Sequence, residues 1–275
     1  MAMKSDFEHA DWEDKTLLIL GSTYPNHSMK YVEVACTGAI DEATGKMVRI
    51  HPMPRRYLEP AHRFQNFQRV RARIKPSFAD GRVESMRIDP DSIVPLDVIP
   101  AKNVAARRHF IERSPNLVAS VEEMNVRMKR DGFSLGAIRP KEILGVRVKP
   151  RAPKDIEAWK RKEDEILSQQ VIAGEPPPKP LDCPEAEFHV KWRCDDARCT
   201  KPHDMTLKTW GLHELYRHLA GDPKRDEKVE AKMRAMLDMS KRDVFLFLGT
   251  MVALRFEFAL MDAYSVPREN QLSLL

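Results

Sequence analysis

The sequence predicts an α+β protein: a small, strongly curved sheet or barrel at the N-terminus, a helical middle, and an α/β C-terminal region organised around a metal ion. Three observations predict it. Five strand-like runs separated by turn residues fall within about the first ninety residues, the spacing of small barrels and sandwiches. Apolar residues then recur at helical spacing on both sides of a proline-rich stretch, 173–180. Beyond that stretch two cysteines and a histidine crowd into one short segment, Cys194 to His203.

The elements follow in order. Residues 16–20 are a short apolar run ending at Gly21, the form of a buried first strand. After a polar turn, 31–40 reads as a second strand, and turn residues 41–45 lead to a hairpin partner at 47–51. Two more strands, 67–75 and 82–88, flank the turn Ala79-Asp80-Gly81. Helices are expected over 102–112 and 118–129, then a strand over 143–148. Asp155 suits the start of a helix reaching about residue 170, with Ile156, Trp159, Ile166 and Leu167 near one face. The prolines at 176–178 and 180 cannot continue it and mark an extended linker. A strand over 187–193 enters the Cys/His segment. A helix from Thr209 and another behind Asp222-Pro223 follow, and strands over 244–248 and 256–260 close the chain. No internal repeat is visible. The expected organisation is a β-rich domain with a helical insertion at 12–150, a helix and linker at 151–182, a metal-bearing region at 183–265 and a flexible tail at 266–275.

Bulk properties narrow the class. The chain has 275 residues, 42% hydrophobic and 32% charged, a globular composition with enough length for a real core. No apolar run approaches the ~18 residues of a membrane helix. The mixed-charge start lacks an apolar signal core, which predicts a cytoplasmic protein whose four cysteines are thiols or metal ligands rather than disulfides. No phosphate-binding glycine loop, hydrolase serine elbow or metalloprotease helix is present.

The net charge is +5, and its distribution says more than its size. Lys46, Arg49, Arg55, Arg56, Arg63, Arg69, Arg71, Arg73 and Lys75 face a single acid, Glu59, within the same stretch. In 68–75 the pattern alternates strictly, so Arg69, Arg71, Arg73 and Lys75 share one strand face and Val70, Ala72 and Ile74 the other. A row of cations repels itself unless it meets anions. Phosphates satisfy it, with Tyr57, Phe64 and Phe67 interleaved as stacking platforms. Arg49, Arg55, Arg56, Arg69, Arg71, Arg73, Lys75, Tyr57 and Phe64 are therefore the candidate nucleic-acid contacts. A solvated face whose arginines pair with acids elsewhere fits the same pattern.

The segment Cys194-x4-Cys199-x3-His203 has the ligand types and tightness of a small zinc element. A closed site needs a fourth ligand, for which Cys183 is the first choice, ahead of His213 and His189. Catalytic candidates are weaker. Asp80, Arg82 and Glu84 put two carboxylates and a guanidinium around one turn, which suits either a divalent cation beside phosphate or a hairpin with a local ion pair. Cys36 reads as a buried small residue.

The C-terminal Gln271-Leu272-Ser273-Leu274-Leu275 resembles the bacterial sliding-clamp-binding pentapeptide. That resemblance implies a glutamine pocketed by hydrogen bonds and Leu272, Leu274 and Leu275 on apolar surface, with Leu275 replacing the usual phenylalanine. The pattern Thr16-Leu-Leu-Ile-Leu with Tyr24-Pro25, then Cys36-Thr-Gly-Ala-Ile and Met47-Val-Arg-Ile-His-Pro, resembles the start of dual-OB-like domains in bacterial conflict and defence proteins. The Cys/His segment with Thr209-Trp210 resembles an uncharacterised bacterial family. An OB-like barrel, which binds nucleic acid on a sheet face, is what the first resemblance implies. The expectation is a DNA-binding protein of replication, repair or phage defence, containing zinc and tethered to the sliding clamp. The alternative is a metal-dependent nuclease or base-modifying enzyme acting on DNA or RNA.

Overall fold

The computed structural model describes residues 11–77, 80–169, 179–251 and 257–268. The chain runs β1 (Glu13–Ser22), β2 (Asn26–Ser28), β3 (Val32–Asp41), β4 (Met47–Met53), β5 (Gln68–Pro76), β6 (Ser85–Ile88), β7 (Val94–Val98), α1 (Val104–Glu112), β8 (Leu117–Val118), α2 (Val121–Asp131), β9 (Leu135–Ile138) and β10 (Glu142–Pro150). It continues α3 (Pro153–Gln169), β11 (Ala186–Arg193), β12 (His203–Leu207), α4 (Trp210–His218), α5 (Arg225–Met236), β13 (Arg242–Thr250) and β14 (Phe258–Pro267).

Five strands of the first sheet close into a barrel in the order β1-β3-β4-β6-β5, because β1 pairs with both β3 and β5. All those pairings are antiparallel except β4 with β6. This fits the OB-like expectation. The second sheet, β10-β11-β12-β14-β13-β9-β8, repeats the connectivity. Its parallel pair is β12 with β14, matching β4 with β6. Its first strand comes in two pieces, β9 and β10, interrupted by Arg139-Pro140-Lys141. Proline cannot donate to a ladder, so the strand bends there, pairing with β13 before the break and β11 after it.

The apolar runs have a common cause. In β1, Leu17 and Ile19 fill the first barrel while Leu18 and Leu20 face a seam between the barrels. In β13, Leu246 and Leu248 fill the second barrel while Phe245 and Phe247 face the same seam. A strand buried on both faces loses its polar alternation. A buried polar layer crosses the seam. Arg49 reaches Ser134, Glu84 accepts from Ser134, and Arg82 is gripped by Asp80 and donates to the Thr250 carbonyl. Gly249 makes room for it, since a Cβ there would lie 2.9 Å from Arg49 Nη2.

Three boundaries differ from expectation. Val266 and Pro267, expected in a flexible tail, belong to β14, and Val266 packs in the seam. Residues 117–150, expected within the first domain, form β8, α2, β9 and β10 of the second sheet. The proline-rich stretch, most of it outside the described residues, falls between β10 and β11 of that sheet rather than between the barrels. No helix among the described residues is long and apolar enough to cross a membrane; strands are not addressed by that observation.

Candidate functional site

The Cys/His segment gathers as expected, with a different fourth member. Cys194 follows β11, Cys199 lies in the loop, and His203 opens β12. His203 Nε2 is 3.3 Å from Cys194 Sγ and 3.2 Å from Cys199 Sγ. The fourth group is Glu122, in the first turn of α2, and one ligand atom from each of the four lies within 4.8 Å of every other. Helix α2 is placed by its cap. Ser120 Oγ accepts from Glu123 N, and Gly132 ends the helix in the left-handed region at φ 77°. Ser120 Oγ also donates to Asp196 at 2.6 Å, tying the loop to the helix start. Arg198 and Ser120 hold the Asp196 carboxyl well below its usual range.

These residues fit a metal ion. Glu122 Oε2 is buried without a hydrogen-bond partner among the described residues, and burial pushes the Cys194 thiol up to about 12, with Cys199 and Glu122 adding to it. A cation at the centre would offset both effects. Zinc–sulfur and zinc–nitrogen bonds of ~2.3 and ~2.0 Å subtend a tetrahedral edge of ~3.5 Å, close to the observed sulfur–nitrogen distances. Cys183 is not in the cluster. It lines a separate cavity with Ile156, Glu163 and Tyr216, because the chain leaves it at the approach to β11 whereas the cluster sits at that strand's far end. His189 pairs with Glu187 and Asp204, and His213 packs between Tyr24 and Phe188.

The cationic strand keeps its alternation: Val70, Ala72 and Ile74 are buried, Arg71 and Arg73 exposed. Its charges are largely spent. Arg69 holds Glu42 bidentately at 2.6 and 2.7 Å and reaches Asp97; Arg73 pairs with Asp89; Lys75 lies over the Trp12 ring. Arg71 has no carboxylate partner among the described residues. Arg56 pairs with Glu33 at 2.8 Å. Arg55 donates to Ser22 Oγ and the Phe64 carbonyl. Tyr57 accepts from the Lys179 backbone. Two candidates are corrected outright: Arg49 is buried in the seam, 1% exposed, and Phe64 belongs to the first barrel's core. Asp80 and Glu84 are likewise committed, to Arg82 and Ser134, in the buried layer. Gln271, Leu272, Leu274 and Leu275 lie outside the described residues.

The sequence reading did not assemble a cavity of about 250 Å³ at the mouth of the first barrel. In OB-like barrels the loops after the first and fourth strands frame the ligand face of the second and third strands. Here those positions supply Thr23 to Asn26, Arg82, Cys36 of β3 and His51 of β4. The second barrel closes the other side with Arg151, Lys208, His213 and Thr250. Cys36 Sγ lies 3.5 Å from His51 Nδ1. Burial raises the Cys36 thiol and lowers the His51 imidazole, so the pair rests as neutral thiol and neutral ring. Thr23, Tyr24, Cys36 and Arg82 stand out singly in the sequence, but nothing there joins them to Arg151 and Lys208, which lie far along the chain.

Fold and site define a protein of two OB-like barrels carrying a Cys/His/Glu cluster able to hold a metal. Residues 13–113 match the Domain of unknown function (DUF8758), and residues 118–275 match the Domain of unknown function (DUF8757). The second match covers more than half of the chain, which belongs to the DUF8757 family. No curated protein matches the chain.

Proposed function

We propose that the chain binds nucleic acid at the mouth of its first barrel, and that a zinc ion held by Glu122, Cys194, Cys199 and His203 fixes the loop between β11 and β12. One observation carries the binding site: the ligand face of an OB-like barrel lines a cavity to which the facing barrel adds Arg151 and Lys208, cations with no ion pair among the described residues. Phosphate is the anion that such a pair meets in nucleic acid. The zinc is structural in this reading, since four protein ligands close its shell. DNA, and a role in replication, repair or defence, rest on the sequence resemblances, as does a tether to the sliding clamp through Gln271 to Leu275. The nuclease reading is disfavoured because Asp80 and Glu84 are occupied by Arg82 and Ser134.

Fluorescence anisotropy with labelled single- and double-stranded DNA and RNA tests the reading. Affinity is expected to fall steeply between ~50 and ~200 mM salt and to drop in Lys208→Gln and Arg151→Gln. No binding to any of the four ligands at low salt overturns it.

A further inference from the structure

The cavity at the barrel mouth is bounded by contacts between the two barrels. On one side, Thr23 bridges to Thr209 and Tyr24 N donates to the Lys208 carbonyl at 3.0 Å, joining the first loop to the second barrel. On the other, Arg82 donates to the Thr250 carbonyl. Next to it, sharing Thr23, Cys36 and Met261 in its lining, lies a cavity of about 20 Å³ beside Gly21, Arg49 and Phe247, room for about one water.

Resting on the reading that this mouth is the nucleic-acid site, we infer that it takes the phosphorylated end of a strand: one nucleoside monophosphate unit rather than a continuous backbone. Volume agrees, since about 250 Å³ lies just below the ~300–1,000 Å³ of small-molecule sites. Charge agrees as well. Arg82 is neutralised by Asp80, which leaves Arg151 and Lys208 as the cations of the lining with no ion pair among the described residues. Burial lowers the Lys208 ammonium from its usual range, and Glu187 opposes that shift without forming an ion pair with it. Two unpaired cations balance a terminal phosphomonoester, which carries about −1.5 to −2 near pH 7, better than the single charge of an internal phosphodiester. Thr250 supplies an independent sign of a missing partner. It lines the cavity, is 1% exposed, and its hydroxyl has no hydrogen-bond partner among the described residues. Pro25 and Met261 give the same cavity apolar wall for sugar and base.

A strand end and a free mononucleotide share this chemistry, and the experiment separates them. The full chain is titrated with one single-stranded sequence as a 5′-phosphorylated, 3′-phosphorylated, hydroxyl-ended or circular molecule, and separately with nucleoside monophosphates by calorimetry. The expected result is at least tenfold tighter binding of one phosphorylated end than of the circle, reduced at least tenfold in Lys208→Gln and in Arg151→Gln. Melting curves establish that each variant is folded, and either one that folds is sufficient. Equal affinity for circular, hydroxyl-ended and phosphorylated strands overturns the inference while leaving nucleic-acid binding in place. Monophosphate binding that depends on Lys208, with no strand bound, supports the pocket, identifies a free nucleotide as its source and overturns the nucleic-acid reading. No binding of strands or monophosphates removes both.

Discussion

Arg49 of β4 ends on Ser134, the residue before β9: Nη2 donates to the Ser134 carbonyl at 2.8 Å and Nη1 to its hydroxyl at 3.0 Å. The same hydroxyl donates to Glu84 at 2.7 Å, so a buried cation and a buried carboxylate meet through one serine across the seam. Removing one partner of such an arrangement leaves the other charge uncompensated. Arg49→Met is expected to cost about 3–5 kcal/mol, and adding Glu84→Gln to cost less than the sum of the two changes. Urea unfolding of both single variants and the double variant measures this. A cost below ~1 kcal/mol for Arg49→Met would show that the layer does not hold the barrels together.

Zinc removal probes the second centre. Purified protein is expected to carry about one equivalent, and chelation to lower the melting temperature. Cys194→Ser, Cys199→Ser and His203→Ala lose the metal; Cys183→Ser retains it, because Cys183 lines another cavity. Glu122→Gln weakens retention. Metal analysis of the five variants decides, and loss in Cys183→Ser with retention in Glu122→Gln would reverse the assignment.

The outer strand face yields a prediction of silence. Arg69 is held by Glu42 and Asp97, so Arg69→Ala is expected to change nucleic-acid affinity less than twofold, and stability by about 0–1 kcal/mol as for other surface pairs. Lys208→Gln, at the cavity, lowers affinity in the same titration. The opposite ranking would return the binding surface to β5.

Acid sensitivity follows from His213. Its ring centroid lies 4.8 Å from those of Tyr24 and Phe188. Burial, then Arg151 and Lys208, push its pKa down to about 3. A folded value below the unfolded ~6.5 means that the stability is complete above that pH and is lost as pH falls toward 3. His213→Phe keeps an aromatic ring without a proton to gain. Relative to wild type, the variant is expected to improve by about 2 kcal/mol between pH 7.5 and pH 5. Denaturation curves at the two pH values that shift wild type and variant equally would exclude His213 as the sensor.

Legibility in the sequence followed locality. The burial of β1 was readable from its apolar run and the alternation of β5 from its period, whereas the seam that buries both faces of β1 and β13 was not. The strand β9 was not expected, because it is four residues long and Gly136 weakens its strand pattern. The glycine serves packing instead: a Cβ would lie 2.9 Å from the Asn116 carbonyl oxygen. The polar residues of β12 vanished into the expected metal loop. The doubled connectivity left no sequence repeat, since it resides in pairing order and one copy has its first strand broken at Pro140. Of the metal cluster, the three clustered ligands were visible. Glu122 was not, because only the docking of α2 beside the loop brings it there. The partners of Arg69 and Arg73 are contributed by neighbouring turns and strands, which a pattern within one segment does not reveal.

The shared seam bears on how such a polypeptide can be inherited. Leu18, Leu20, Ile40 and Met47 on one side, and Phe245, Phe247 and Tyr264 on the other, are dry only when both halves are present. A gene truncated between the two matched regions would encode a fragment with an oily flank, prone to aggregation. Evolution can therefore separate the halves only if they are co-expressed and reassociate, so solubility itself ties them to one another.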